Sequence, residues 1–139
     1  MPDGARDPAW AEWSPQAFAR ALTEARPVAL CLETRWSPPC ARFRRDVLSD
    51  PDVTQCLASR FVPIAVDADL RPDLAERYTS EGWPTFVALT PHGWPLAPLP
   101  TSGAPACARA LAAVADAFDA RRDALLRSVP APPPPAGWS

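Results

Sequence analysis

Lysine is absent: all fourteen basic residues of this 139-residue chain are arginine. No Schiff-base nucleophile is therefore available, and beside so much alanine and proline the bias reads as base composition, not as a binding signature. Histidine occurs once, at His92, and the four cysteines (Cys31, Cys40, Cys56, Cys107) form no paired Cys-x-x-Cys knuckles. A metal site is not expected, and nothing implies a cofactor. A basic run is also missing, and with a net charge of −2 neither nucleic acid nor a membrane surface is an expected partner. No apolar stretch approaches the roughly 20 residues of a membrane helix. The opening MPDGARDPAWAEW has neither the charged start nor the apolar run of a signal peptide, so a cytoplasmic location is expected. Thiols stay reduced there, which argues against a structural disulfide framework.

What is present suits one folded domain. Hydrophobic residues make up 47% and charged residues 22%, a globular balance. Ser14-Pro15 reads as a helix cap and first turn, with Phe18 and Leu22 on one face and a stop near Arg26-Pro27. PVALCLET predicts a buried strand from Val28 to about Glu33. Ser37 then caps a second helix whose first turn holds Pro38, and Cys40, Phe43 and Val47 recur at helical spacing. Asp50-Pro51 starts a third helix, with Val53 and Leu57 facing inward. A strand from Phe61 to Val66, a short helix with Leu74 and Tyr78 one turn apart, and a strand from Thr85 to Thr90 follow. Past the Pro91-His92-Gly93 turn, WPLAPLP reads as a proline-studded edge strand.

The longest helix is expected after Gly103-Ala104-Pro105. Its inner face would be Cys107, Leu111, Val114, Phe118 and Leu125, with Asp119 and Asp123 paired to Arg122 and Arg127 outside. Residues 129–139 form a proline-rich tail of polyproline type. Parallel strands joined by helical crossovers, finished by a hairpin and a helix, make a three-layer α/β/α sandwich around a central mixed sheet.

Four stretches then carry a family: VALCL, the Trp-x-x-x-Cys window from Trp36 to Cys40, VPIAVDAD, and YTSEGWPTFVAL. Over residues 10 to 127 the chain resembles the thioredoxin superfamily. It is more closely similar to the N-terminal thioredoxin-like domain of the spermatogenesis-associated thioredoxin-like protein family, on AEWSPQAFARALTEARPVAL, VDADLRPDL and GWPTFVALTPHGWPL. The resemblance implies a thioredoxin-like domain over 1–128, a cis proline at Pro84 followed by Thr85, and a role in cell redox homeostasis. It also implies a groove for an extended peptide, formed by Trp36, Ser37, Pro38, Pro39, Trp83, Pro84 and Thr85. Relatives of this kind continue into a helical barrel, so a separate barrel domain is a second conceivable partner, docking through Trp83, Trp94 or the tail.

Thiol–disulfide exchange needs a thiolate at an exposed helix N-terminus and a second thiol one turn in. By the resemblance the attacking position is Ser37 and the resolving one Cys40. A serine hydroxyl with no neighbouring base does not attack sulfur. Cys31 stands where thioredoxins place a buried carboxylate, so that proton relay is expected to be absent. The motif is degenerate, Ser-Pro-Pro-Cys, and ordinary dithiol–disulfide oxidoreductase activity is not expected; a binding or accessory role is. The alternative is a single-thiol redox enzyme or sensor, which as an enzyme would be a thiol–disulfide oxidoreductase. It would use a partly exposed Cys40 among Arg35, Arg42, Arg44 and Arg45, either alone or bonded to Cys31. Against it stands Cys40 as a small apolar core group. Cys56 and Cys107 read as core residues, and His92 as a turn residue. Trp36 is either an exposed contact or a cover over the core. Asp67 and Asp69 read as a loop and helix cap.

Overall fold

The computed structural model describes residues 10–34, 36–78 and 83–126. In chain order the elements are α1 (Pro15–Glu24), β1 (Val28–Glu33), α2 (Pro38–Asp46), α3 (Pro51–Arg60), β2 (Val62–Asp67), α4 (Pro72–Tyr78), β3 (Thr85–Leu89), β4 (Pro95–Pro98), α5 (Ala104–Ala120) and α6 (Arg122–Leu126). The first three helices begin on the expected signal, a capping oxygen followed by proline. Ser14 Oγ accepts from Ala17 N at 3.2 Å, and one Asp50 carboxylate oxygen accepts from Asp52 N and Val53 N at 3.0 and 3.2 Å. These contacts satisfy amides that have no partner within the helix. Helix α1 ends at Ala25, a non-glycine residue with a φ of 55°, whose N–H turns back to Ala21 and Leu22 oxygens.

The sheet runs in the order β2-β1-β3-β4. Strands β1 and β2 are parallel, with Val28 opposite Val62 and Glu33 opposite Asp67. Strand β3 runs antiparallel to β1, Cys31 facing Phe86 and Leu32 facing Thr85, and β4 runs antiparallel to β3. The parallel part of this mixed sheet is thus the β1–β2 pair, extended by a parallel bridge between Ala11 and Ile64. Both edges are protected. A bridge at Ala11 pairs with β2 through Ala11 N to Pro63 O at 2.8 Å and Ala65 N to Ala11 O at 3.1 Å. At the other edge, β4 is four residues long and begins and ends with proline.

Alternation along β1 divides the core in two. Ala29 and Cys31 face Phe43, Val47, Val53, Leu57, Cys107 and Leu111, contributed by α2, α3 and α5. Val28, Leu30 and Leu32 face the other side, against Phe18, Ala21, Ile64 and Leu74. With a strand buried on both faces, VALCL is apolar throughout instead of alternating.

Several expectations are corrected here. Leu22 is 38% exposed and Ala21 fully buried, because α1 turns its small residues inward and packs close. On α5 it is Ala115, with Val114 only partly buried, that completes the inner row of Cys107, Leu111 and Phe118. Asp119 binds Arg60 of α3 at 2.9 Å, as does Asp116, so these carboxylates tie two helices together instead of bracing their own. The long C-terminal helix breaks at Arg121 into α5 and α6. The side chain of Leu125, Arg127 and the 129–139 tail lie outside the described residues.

Candidate functional site

Chain direction carries the Trp36–Cys40 window off the end of β1 and straight into α2. Trp36 stands out at 69% exposure, so of its two readings the exposed one holds, and Pro38 and Pro39 are exposed beside it. Ser37 is 4% exposed. Its Oγ accepts from Cys40 N at 3.4 Å, which makes it the N-cap of α2 and occupies the hydroxyl in a structural contact. Cys40 is only 3% exposed, so it sits as the small apolar core group, and the partly exposed thiol of the alternative reading is not found. Nor do the arginines converge on it. Arg44 pairs with Glu33, and Arg45 pairs with Asp46 at 3.0 Å, where Arg42 adds its field. Arg35 lies outside the described residues.

Cys31 is 1% exposed on β1. Burial pushes its thiol well above the ordinary range; the Glu33 charge raises it further, as do Cys40 and Cys107, while Arg44 opposes. All four cysteines are free thiols. Cys107 is buried and pushed up to about 12, chiefly by desolvation. Cys56 is half-buried, short of the core position expected of it, and burial raises its thiol too. High thiol pKa values leave little thiolate at neutral pH.

One functional candidate was missed from the sequence: Glu33. It closes the apolar strand VALCLE, and at two residues from Cys31 it shares that residue's side of the sheet. Its side chain is 12% exposed and is gripped by Arg44 from α2. Burial first, then Asp67 across the β1–β2 pair, raise its pKa, with Arg44 opposing. The signal was the lone charge at odd parity with an otherwise apolar strand.

Elsewhere, the Trp83–Pro84 peptide bond is cis, and Thr85 pairs with Leu32, so Pro84 lies at the level where β1 ends. Trp83, Pro84 and Thr85 are half-buried and line a groove of about 430 Å³ with Tyr78, Leu96 and Leu99. Tyr78 Oη donates to Gly93 O at 3.1 Å, anchoring that wall to the β3–β4 turn. The described lining of this groove comes from Tyr78, from residues 83–87 and from residues 95–99 with Thr101. Trp94 is 41% exposed. His92 lies on the β3–β4 turn, half-buried. Asp67 accepts from Asp69 N at 2.9 Å, closing the loop after β2. Among the described residues no group of three His, Cys, Asp or Glu side chains is placed to hold a metal, and no helix is long and apolar enough to cross a membrane.

Comparison with known proteins agrees with this architecture. The family model Thioredox_DsbH, described as a protein of unknown function, DUF255, matches residues 3–131. Human spermatogenesis-associated protein 20 is 28% identical over 91 residues, which are 60% of this chain and 12% of that protein. The uncharacterized protein B0495.5 of Caenorhabditis elegans is 27% identical over 95 residues, 63% of this chain and 13% of its own length. The chain thus spans about an eighth of these relatives. Among solved structures, a DsbH oxidoreductase superposes with a TM-score of 0.69 at 17% identity, covering 82% of this chain and 89% of that one. A thioredoxin from Thermus thermophilus superposes at 0.65 with 30% identity, covering 85% and 92%.

Proposed function

Because the chain belongs to the Thioredox_DsbH family, we propose that it works as a thioredoxin-like binding or accessory module that has lost ordinary dithiol–disulfide exchange. The observation that carries the reading is Ser37. At the helix N-terminus, where exchange chemistry requires an exposed thiolate, a buried hydroxyl caps α2 instead. The remaining thiols of the region, Cys31 and Cys40, are buried. What stays accessible is apolar surface: Trp36 with Pro38 and Pro39, and next to it the groove at Trp83, Pro84 and Thr85. Exposed aromatics at such a rim suit an extended, partly apolar peptide, in the cytoplasm and with no cofactor. A helical barrel carried by another chain is the alternative occupant of the same surface.

Titration with reduced, carboxymethylated α-lactalbumin, an unfolded chain without free thiols, tests the binding role. Calorimetry is expected to show saturable binding, weakened about tenfold (~1.4 kcal/mol, the scale of one interface residue) by Trp36→Ala and by Trp83→Ala. No binding, or binding indifferent to both variants, contradicts it. A second reading is favoured by the field of Cys40 at Cys31, both buried free thiols: a sensor in which this pair is oxidised. Peptide mapping after exposure to glutathione disulfide would show a Cys31–Cys40 crosslink if so, and two unmodified thiols if the first reading holds alone.

A further inference from the structure

No described residue that lines the cis-proline groove carries a charge, whereas the cavities at Glu33, Arg44 and Asp67 and at Asp119–Asp123 are both charged. An uncharged occupant suits such a lining, since a charged side chain would lose its hydration there and meet no counter-ion among these residues. The outer wall of the groove is β4, an edge strand with proline at both ends. Proline has no N–H to donate, so a peptide laid along β4 as an added strand would find part of its ladder missing. A polyproline helix needs no such ladder. It carries no internal backbone hydrogen bonds and docks by laying its rings against aromatic walls. Tyr78 and Trp83, both half-buried, supply walls of that kind.

The chain itself contains such a segment. From Ser128 to Ser139 the sequence SVPAPPPPAGWS has no charged side chain, and Pro132–Pro135 are consecutive prolines. Four residues at about 3.1 Å each span about 12 Å, and the wall from Pro95 to Leu99 is about 13 Å long at about 3.3 Å per residue. The fold also sets where the tail starts. Asp116 and Asp119, toward the end of α5, pair with Arg60 at the end of α3, just before β2. Val62 of β2 stands level with Val28, Val28 with Leu89, and Leu89 with Pro95. The end of α5 therefore lies at the level of the Pro95 end of the groove, and α6 adds only about 8 Å. Crossing from β2 to β4 takes about 15 Å and passing the sheet about 10 Å. The six residues from Leu126 to Pro132 reach about 20 Å when extended, enough for that path. We propose that Pro132–Pro135 seat in this groove as a polyproline helix, packed on Tyr78 and Trp83, and that the tail thereby competes with any other peptide for it. The competition rests on the reading of the groove as a peptide site; the docking does not.

The test compares the full native chain with a variant carrying Pro132→Gly, Pro133→Gly, Pro134→Gly and Pro135→Gly, changes that lie outside every described element. Amide resonances of Trp83, Thr85, Leu96 and Ala97 are expected to differ between the two proteins, those of β2 to coincide, and the difference to persist on dilution. A free peptide of sequence VPAPPPPAGWS should bind the variant and move the same four resonances. It should bind the native chain about tenfold more weakly, since a tethered tail acts at an effective concentration near millimolar. Groove resonances identical in the two proteins overturn the proposal. So does a difference that vanishes on dilution, which assigns the contact to a second copy. Reduced, carboxymethylated α-lactalbumin separates this proposal from the reading beneath it. Tighter binding to the variant than to the native chain supports both. No binding to either protein, with the groove resonances still displaced, removes the peptide-site reading and leaves the tail docked. Equal binding to both, with the resonances unmoved, removes the tail and leaves the peptide site.

Discussion

At Glu33 a carboxylate that pairs with Arg44 nevertheless prefers its proton more than a free one does, because burial outweighs the pair. The consequence for stability has a definite sign. The unfolded group titrates near 4.5 and the folded one above it, so the favourable contribution is complete at acidic pH and is lost as pH rises through the folded value. Glu33→Gln cannot titrate. The melting temperature of the native protein is therefore expected to fall relative to that variant between pH 4 and pH 8; a difference that is flat or of opposite slope contradicts the burial argument. Legibility at this scale was uneven. Ser37 as a helix cap and the cis bond before Thr85 correspond to local chemistry or to a stretch that resembles a family. Glu33 was invisible because its place depends on Arg44, eleven residues on, and on Asp67 across the sheet. The burial of Cys40 was legible as one of two readings, from its helical spacing with Phe43 and Val47, both buried as well.

At the scale of elements, α2 is nine residues long, too short to stand alone in water. It is held by the side chains it buries. Phe43, 2% exposed, meets Phe86 of β3 with ring centroids 5.3 Å apart and an interplanar angle of 62°, an edge-on pairing that adds to area burial. Phe43→Ala is expected to cost about 3–5 kcal/mol in urea denaturation, and to loosen the whole Trp36–Cys40 window with it; a loss under about 1 kcal/mol would mean that Ser37 and its neighbours hold the helix without this anchor. Helix starts were readable because Ser14, Ser37 and Asp50 each precede a proline and carry a capping oxygen. Helix ends and inner faces were less so. Ala21 and Ala115 line the core where larger neighbours were expected, since close helix–sheet approach selects for small residues, and Arg121 breaks the last helix at a point that no glycine or proline marks.

For the molecule as a whole, the apolar runs VALCL and VPIAV, the turn at His92 and the proline-rich β4 were enough to assemble a mixed-sheet α/β/α sandwich from the sequence. The antiparallel course of β3 and the bridge at Ala11 were not legible, because both are long-range pairings that local pattern leaves undetermined. The same whole-molecule view frames the functional proposal: a thioredoxin-like scaffold surrounds a window in which a buried serine, Ser37, caps α2. The most direct test is the initial rate of insulin-disulfide reduction with a recycling reductant, for the native protein beside Cys40→Ser. The account predicts background rates for both, since the thiols of the region, Cys31 and Cys40, are buried and the α2 N-terminus carries none. Turnover by the native protein that disappears in Cys40→Ser would contradict it.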